Sequence, residues 1–142
     1  MNTINLEDML RAIREIEPEY VIVKLDALKN LNGTPNKNSI DLIRALLVHS
    51  KFTILYMYSD PTIDIAEVIQ WLGENVYKKT QFSTLRNMIV GNIICATDWK
   101  QVLTHDKLSG VPKLAIVDTI KDVKTLYKYT KIQPIYLPRR PK

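Results

Sequence analysis

The side chains of this 142-residue chain best suited to phosphate or metal chemistry fall just past the ends of apolar runs. Tyr20-Val21-Ile22-Val23 runs into Lys24, Leu25 and Asp26. Phe52 through Tyr58 runs into Ser59 and Asp60, and Lys113 through Val117 runs into Asp118, with Asp122 four residues on. Lys100 follows a fourth run, Ile93 to Ala96. A carboxylate grouped with a hydroxyl and a lysine can attack, protonate or neutralise a phosphoryl group, and paired aspartates can share a divalent cation.

Elements that would position these groups are legible around them. Apolar runs rich in β-branched residues read as strands buried on both faces of a parallel sheet. Open α/β sheets bind ligands at the carboxyl ends of such strands, so three strand ends are expected to converge on one acidic and hydroxylic cluster. Leu6, Met9, Leu10, Ile13 and Ile16 form a helical stripe over 5–16, with Asn5 as cap and Glu7 and Asp8 in the first turn. Lys29 through Lys37 is a turn-rich loop holding Gly33 and Pro35, after which Ser39 is expected to cap a helix ending at His49. His49 reads as structural, favoured by the helix dipole. Ile63 to Tyr77 is predicted helical, with Trp71 on its packed face. Lys78, Lys79 and Arg86 lie in a segment, 78–92, that reads as a short helix or exposed loop. Thr97 or Asp98 caps a helix containing Trp99, and Asp118 is expected to cap one running to Tyr129. A last strand, 132–138, is placed at an edge by Pro134.

The order Lys24-Leu25-Asp26, Ser59, Lys100, Asp118 with Asp122 resembles the haloacid dehalogenase (HAD) superfamily, most closely the 3′-phosphatase domain of bacteriophage polynucleotide kinases. The resemblance covers about residues 20 to 138. It implies a first strand ending in Asp-x-Asp, a second ending in Ser or Thr, a lysine, and late acids that hold magnesium. It also implies a three-layer, Rossmann-like α/β domain with a mainly parallel sheet of about five strands. Residues 1–17 then become an N-terminal helical addition that covers a sheet face or meets a partner, and 139–142 a basic tail. Lys107 is a rival to Lys100 for the family lysine.

Lys24 stands where the resemblance expects the attacking aspartate. An ammonium cannot form an acyl-phosphate and repels a metal. Ala27-Leu28 replaces the usual Gly-Thr, Val117 replaces the first of two late acids, and Asp60-Pro61 stands where Gly-Arg often holds substrate. Asp26, matching the acid/base, is retained as a vestige. The expectation is that Lys24 is an internal replacement for magnesium, neutralising Asp26, Asp118 and Asp122; the plainer reading is a lysine ending a strand at the solvent edge. The function expected is that of a non-catalytic, phosphatase-like binding domain of phage or other mobile origin, its partner a protein or nucleic acid, with no cofactor. The alternative is a magnesium-dependent phosphohydrolase acting on a nucleotide or polynucleotide 3′-phosphate, with Asp26, Asp118 and Asp122 holding Mg2+. An assembly subunit is a third class.

Composition sets outer limits. A hydrophobic content of 46% suffices for one core, and no apolar run approaches the roughly 20 residues that cross a bilayer. No secretion signal is legible at the N-terminus, so a cytoplasmic location is expected and a membrane partner is not. Cys95 is the single cysteine and reads as a buried core thiol. His105 lies beside Asp106 with no second histidine or cysteine spaced to complete a metal site. The net charge is +5, and Lys121, Lys124, Lys128 and Lys131 recur at helical spacing before Arg139, Arg140 and Lys142. With Tyr127, Tyr129 and Tyr136 nearby, Lys124, Lys128, Lys131, Arg139 and Arg140 are candidate nucleic-acid contacts; the competing reading is a solvated helix face with Leu126 and Tyr129 packed inward.

Overall fold

A computed structural model describes residues 6–48, 51–77 and 92–141. Five strands, β1 (Tyr20–Lys24), β2 (Thr53–Tyr58), β3 (Ile93–Cys95), β4 (Lys113–Val117) and β5 (Ile132–Tyr136), form one sheet in the order β3-β2-β1-β4-β5, and every pairing is parallel. Parallel neighbours need crossovers, and the helices supply them: α2 (Lys37–Leu47), α3 (Ile65–Asn75), α4 (Trp99–Leu103) and α5 (Ile120–Leu126), with α1 (Leu6–Ile16) ahead of β1.

Alternation along the strands sorts the core into two halves. Val21, Val23, Leu114 and Ile116 pack with Met9 of α1, Ile40, Ile43 and Leu46 of α2, and Val68 and Leu72 of α3. Ile22, Ala115 and Val117 face the other way, against Trp99 and Val102 of α4 and Leu126 of α5. Side chains at i and i+1 of a strand point to opposite faces, so one apolar run serves both layers. The result is a three-layer, Rossmann-like α/β fold, with α1 spread over one face of the sheet. Within the first layer the Tyr56 and Tyr77 hydroxyls pair at 3.0 Å, which satisfies two polar atoms in an apolar setting.

Several local expectations are corrected. Asn36, not Ser39, caps α2, its side chain accepting from the Ser39 amide. Thr119, not Asp118, caps α5, accepting from the Asp122 amide, and that helix stops at Leu126 rather than Tyr129. Asp98 is the cap of α4, and α3 is shorter than expected, starting after its cap Asp64. Cys95 is exposed, because β3 is a three-residue edge strand and Cys95 holds its last ladder position. Tyr129 is exposed as well; only Leu126 of that pair is inward. Trp71 is half-buried beside the core, its ring 5.1 Å beneath the Lys29 ammonium. The expectations for Asn5, His49 and most of 78–92 lie outside the described residues.

Pro134 lies on an edge strand, as expected, and the ladder explains its tolerance. The Leu137 amide donates to Val117 O across to β4. Amides alternate in direction along a strand, so the nitrogen of Pro134, an odd number of residues away, faces outward where no partner strand needs a donor.

Candidate functional site

Strand order reverses at β1: β2 and β3 build outward on one side, β4 and β5 on the other. The carboxyl ends of β1 and β4 are therefore the switch point, the place where open α/β sheets commonly bind ligands. Lys24 is the last residue of β1, Asp118 follows β4, and Asp122 lies in the first turn of α5.

These three side chains meet. Lys24 Nζ lies 2.9 Å from Asp118 Oδ1 and 2.7 Å from Asp122 Oδ2, and the three side chains keep only 15%, 5% and 14% of their surface in solvent. The Lys24 ammonium donates a hydrogen bond to Asp122. Its approach to Asp118 Oδ1 is a close ionic contact, since that oxygen has no directed hydrogen bond among the described residues. Trp99 completes the cluster from α4, its indole Nε1 donating to Asp122 Oδ1 at 2.9 Å. Both oxygens of Asp122 are thus engaged.

The electrostatics follow from the geometry. Burial works against a charged Lys24, but the hydrogen bond to Asp122 and the close contact and charge of both aspartates outweigh it and raise the ammonium's pKa above the ordinary lysine value. Burial likewise works against a charged Asp122, yet the Lys24 hydrogen bond, then Trp99, then the Lys24 charge hold its pKa below the ordinary carboxylate value. Lys24 therefore stays protonated at neutral pH and has no lone pair with which to attack phosphorus or a carbonyl.

The remaining predicted residues are placed differently. Asp26 does not join the ion cluster: a 3-10 turn begins at Leu25, and Lys24 pairs only with Asp118 and Asp122 among the described residues. An extended strand would send residues 24 and 26 to the same face, and the turn breaks that relation. Ser59 is exposed in the loop after β2, where its neighbour Asp60 accepts from the Thr62 amide and hydroxyl. Lys100 is exposed on α4 and Lys107 is exposed beyond it. Among the described residues no group of three or more His, Cys, Asp or Glu side chains is placed to hold a metal, and an ammonium sits between the two aspartates that converge.

The predicted basic residues divide between the two ends of the strands. Lys124, Lys128 and Lys131 lie on α5 and the turn that leads into β5, whereas Arg139 and Arg140 follow the carboxyl end of β5. The Arg139 guanidinium is occupied: Nε donates to Lys29 O at 3.1 Å and Nη2 to Asn30 O at 2.7 Å. Leu31 N in turn donates to Arg140 O, so the loop after β1 is laced to the chain after β5. Asn30, buried, braces the same loop through Thr34 and the carbonyl of Pro35.

No helix is long and apolar enough to cross a membrane among the described residues. Comparison with family models, with curated proteins and with solved structures finds no match to this chain.

Proposed function

We propose that this chain is a non-catalytic domain of HAD type, in which the Lys24 ammonium takes the place of both the attacking carboxylate and the metal, leaving a scaffold that binds rather than turns over. One observation carries the reading: Lys24 Nζ sits between Asp118 and Asp122 at 2.9 and 2.7 Å, at the switch point of a parallel sheet. A divalent ion there would need the oxygens that the ammonium already holds. The acid/base candidate Asp26 has Lys24 where the resemblance expects its partner nucleophile, and it forms no ion pair with Lys24 among the described residues. The resemblance in residue order supports the family; the ion triad supports the loss of turnover.

Two measurements test this together. Purified chain incubated with magnesium and either para-nitrophenyl phosphate or a 3′-phosphorylated oligonucleotide is expected to release no phosphate above background. Calorimetric titration with magnesium is expected to show no tight site. Metal-dependent turnover that vanishes in Asp26→Asn would overturn the reading in favour of an active phosphohydrolase, as would tight magnesium binding lost in Asp118→Asn.

A further inference from the structure

The segment from Lys121 to Lys131 carries four lysines, and its one carboxylate, Asp122, is turned inward to Lys24 and Trp99. Lys121, Lys124, Lys128 and Lys131 are all exposed, and none forms an ion pair among the described residues. The acids of neighbouring loops, Glu19 and Asp106, are not paired with them either. A surface that balances its own charge would pair some of these groups; this one leaves all four lysines without a carboxylate partner among the described residues.

Two aromatic rings stand among them. Tyr127 is 66% exposed and Tyr129 40% exposed. Backbone bonds fix the turn that presents them: Tyr127 N to Val123 O, Lys128 N to Thr125 O and Tyr129 N to Leu126 O. Lys131 anchors its far end, with Nζ donating to Gly110 O and its carbonyl accepting from the Lys113 amide. The rings are thus held on an ordered turn rather than a loose tail. Because α5 leaves the carboxyl end of β4 and returns to the amino end of β5, this turn lies at the opposite end of the strands from Lys24.

We infer that Tyr127 and Tyr129, flanked by Lys124, Lys128 and Lys131, form a binding surface for a single-stranded polynucleotide, the rings stacking on unpaired bases and the ammonium groups meeting phosphates. Unpaired bases offer the flat faces that exposed phenols can cover, and a phosphate backbone supplies the negative charge that these lysines lack on the protein. Duplex stacks its bases inward, and an anionic lipid surface would call for buried aliphatic anchors, which this turn does not carry. The inference extends the reading of the chain as a binder by naming a ligand, and it rests on that reading only so far. It uses none of the residues of the ion cluster.

Fluorescence anisotropy with a labelled single strand of about 15 nucleotides tests it on the full chain. Binding is expected at low salt, with log affinity falling against log salt at a slope of about −2, since roughly three phosphates are neutralised. Tyr127→Ala with Tyr129→Ala should weaken binding about tenfold or more at an unchanged salt slope, because each stacked base contributes independently of charge. Lys124→Glu with Lys128→Glu should flatten the slope. All four positions are exposed, so circular dichroism is expected to show native folds. Absence of binding at low salt would overturn the inference. So would duplex or anionic vesicles binding as tightly as the single strand with no effect of the tyrosine pair. Phosphate release by a chain that still binds through Tyr127 and Tyr129 would sink the non-catalytic reading and leave this one standing.

Discussion

Replacing Lys24 with methionine keeps most of the side chain's bulk and removes its charge, which leaves Asp118 and Asp122 facing each other. Their oxygens lie 2.9 and 2.7 Å from one nitrogen, so the two are within about 6 Å of each other, and at an effective dielectric constant near 20 their repulsion is about 3 kcal/mol. Breaking a buried pair by deleting one partner costs about 3–5 kcal/mol in general, and the residual solvent contact here argues for the lower end. At roughly 3 °C per kcal/mol for a chain of this size, the Tm of Lys24→Met is expected to fall by about 10 °C at pH 7. The pH dependence has a definite sign. Asp122 has a lowered pKa in the native fold, so its contribution is present above the ordinary carboxylate range and is lost as pH falls through the folded value. Lys24 has a raised pKa, so its contribution is complete below the ordinary lysine value and is lost as pH climbs through the folded one. The variant behaves oppositely at the acid end, because protonating one aspartate relieves the repulsion; the gap between the two proteins should close as pH approaches about 4. Thermal unfolding followed by circular dichroism across this range measures the gap. Adding Asp122→Asn to the variant should recover part of the loss, since one charge remains and Trp99 keeps an acceptor. A Lys24→Met protein as stable as the native one at pH 7, with a difference flat across pH, would refute the reasoning.

Arg139→Ala removes two charge-assisted bonds to the carbonyls of Lys29 and Asn30 and is expected to cost about 2 kcal/mol in denaturant titrations. Amide exchange should quicken at Leu31 and Gly33 while the Lys24 cluster is unchanged. Cys95 should react with a thiol reagent in the folded protein, one equivalent per chain; reaction only after unfolding would contradict its exposure.

Much of the fold was legible because the apolar runs report burial on both faces. Val21-Ile22-Val23 and Leu114-Ala115-Ile116 need helices above and below, and that requirement alone yields three layers. Asp118 and Asp122 were legible as a pair because four residues carry the chain from a strand end into the first turn of the next helix. Lys24 was legible by its place at the end of β1. Trp99 was not, for its contact with Asp122 spans two crossovers and no local pattern encodes it. Asp26 was read from its place in the Lys24-Leu25-Asp26 order, which does not register that the backbone tightens into a 3-10 turn after Lys24. Arg139 looked like part of a tail, yet a lone guanidinium near a loop rich in carbonyls finds acceptors that sequence spacing of 110 residues cannot reveal. Cys95 was read from its apolar neighbours, which describe a central strand better than a three-residue margin.

Pro134 has a consequence for how molecules of this protein meet. An incoming segment that tried to lengthen the sheet beyond β5 would find its middle amide donor missing, and the outer row of bonds would be broken halfway. That flank is closed to strand-by-strand growth, whether by a second molecule or by an extended peptide ligand. Encounters on this side must proceed through side chains, with the backbone taking no share.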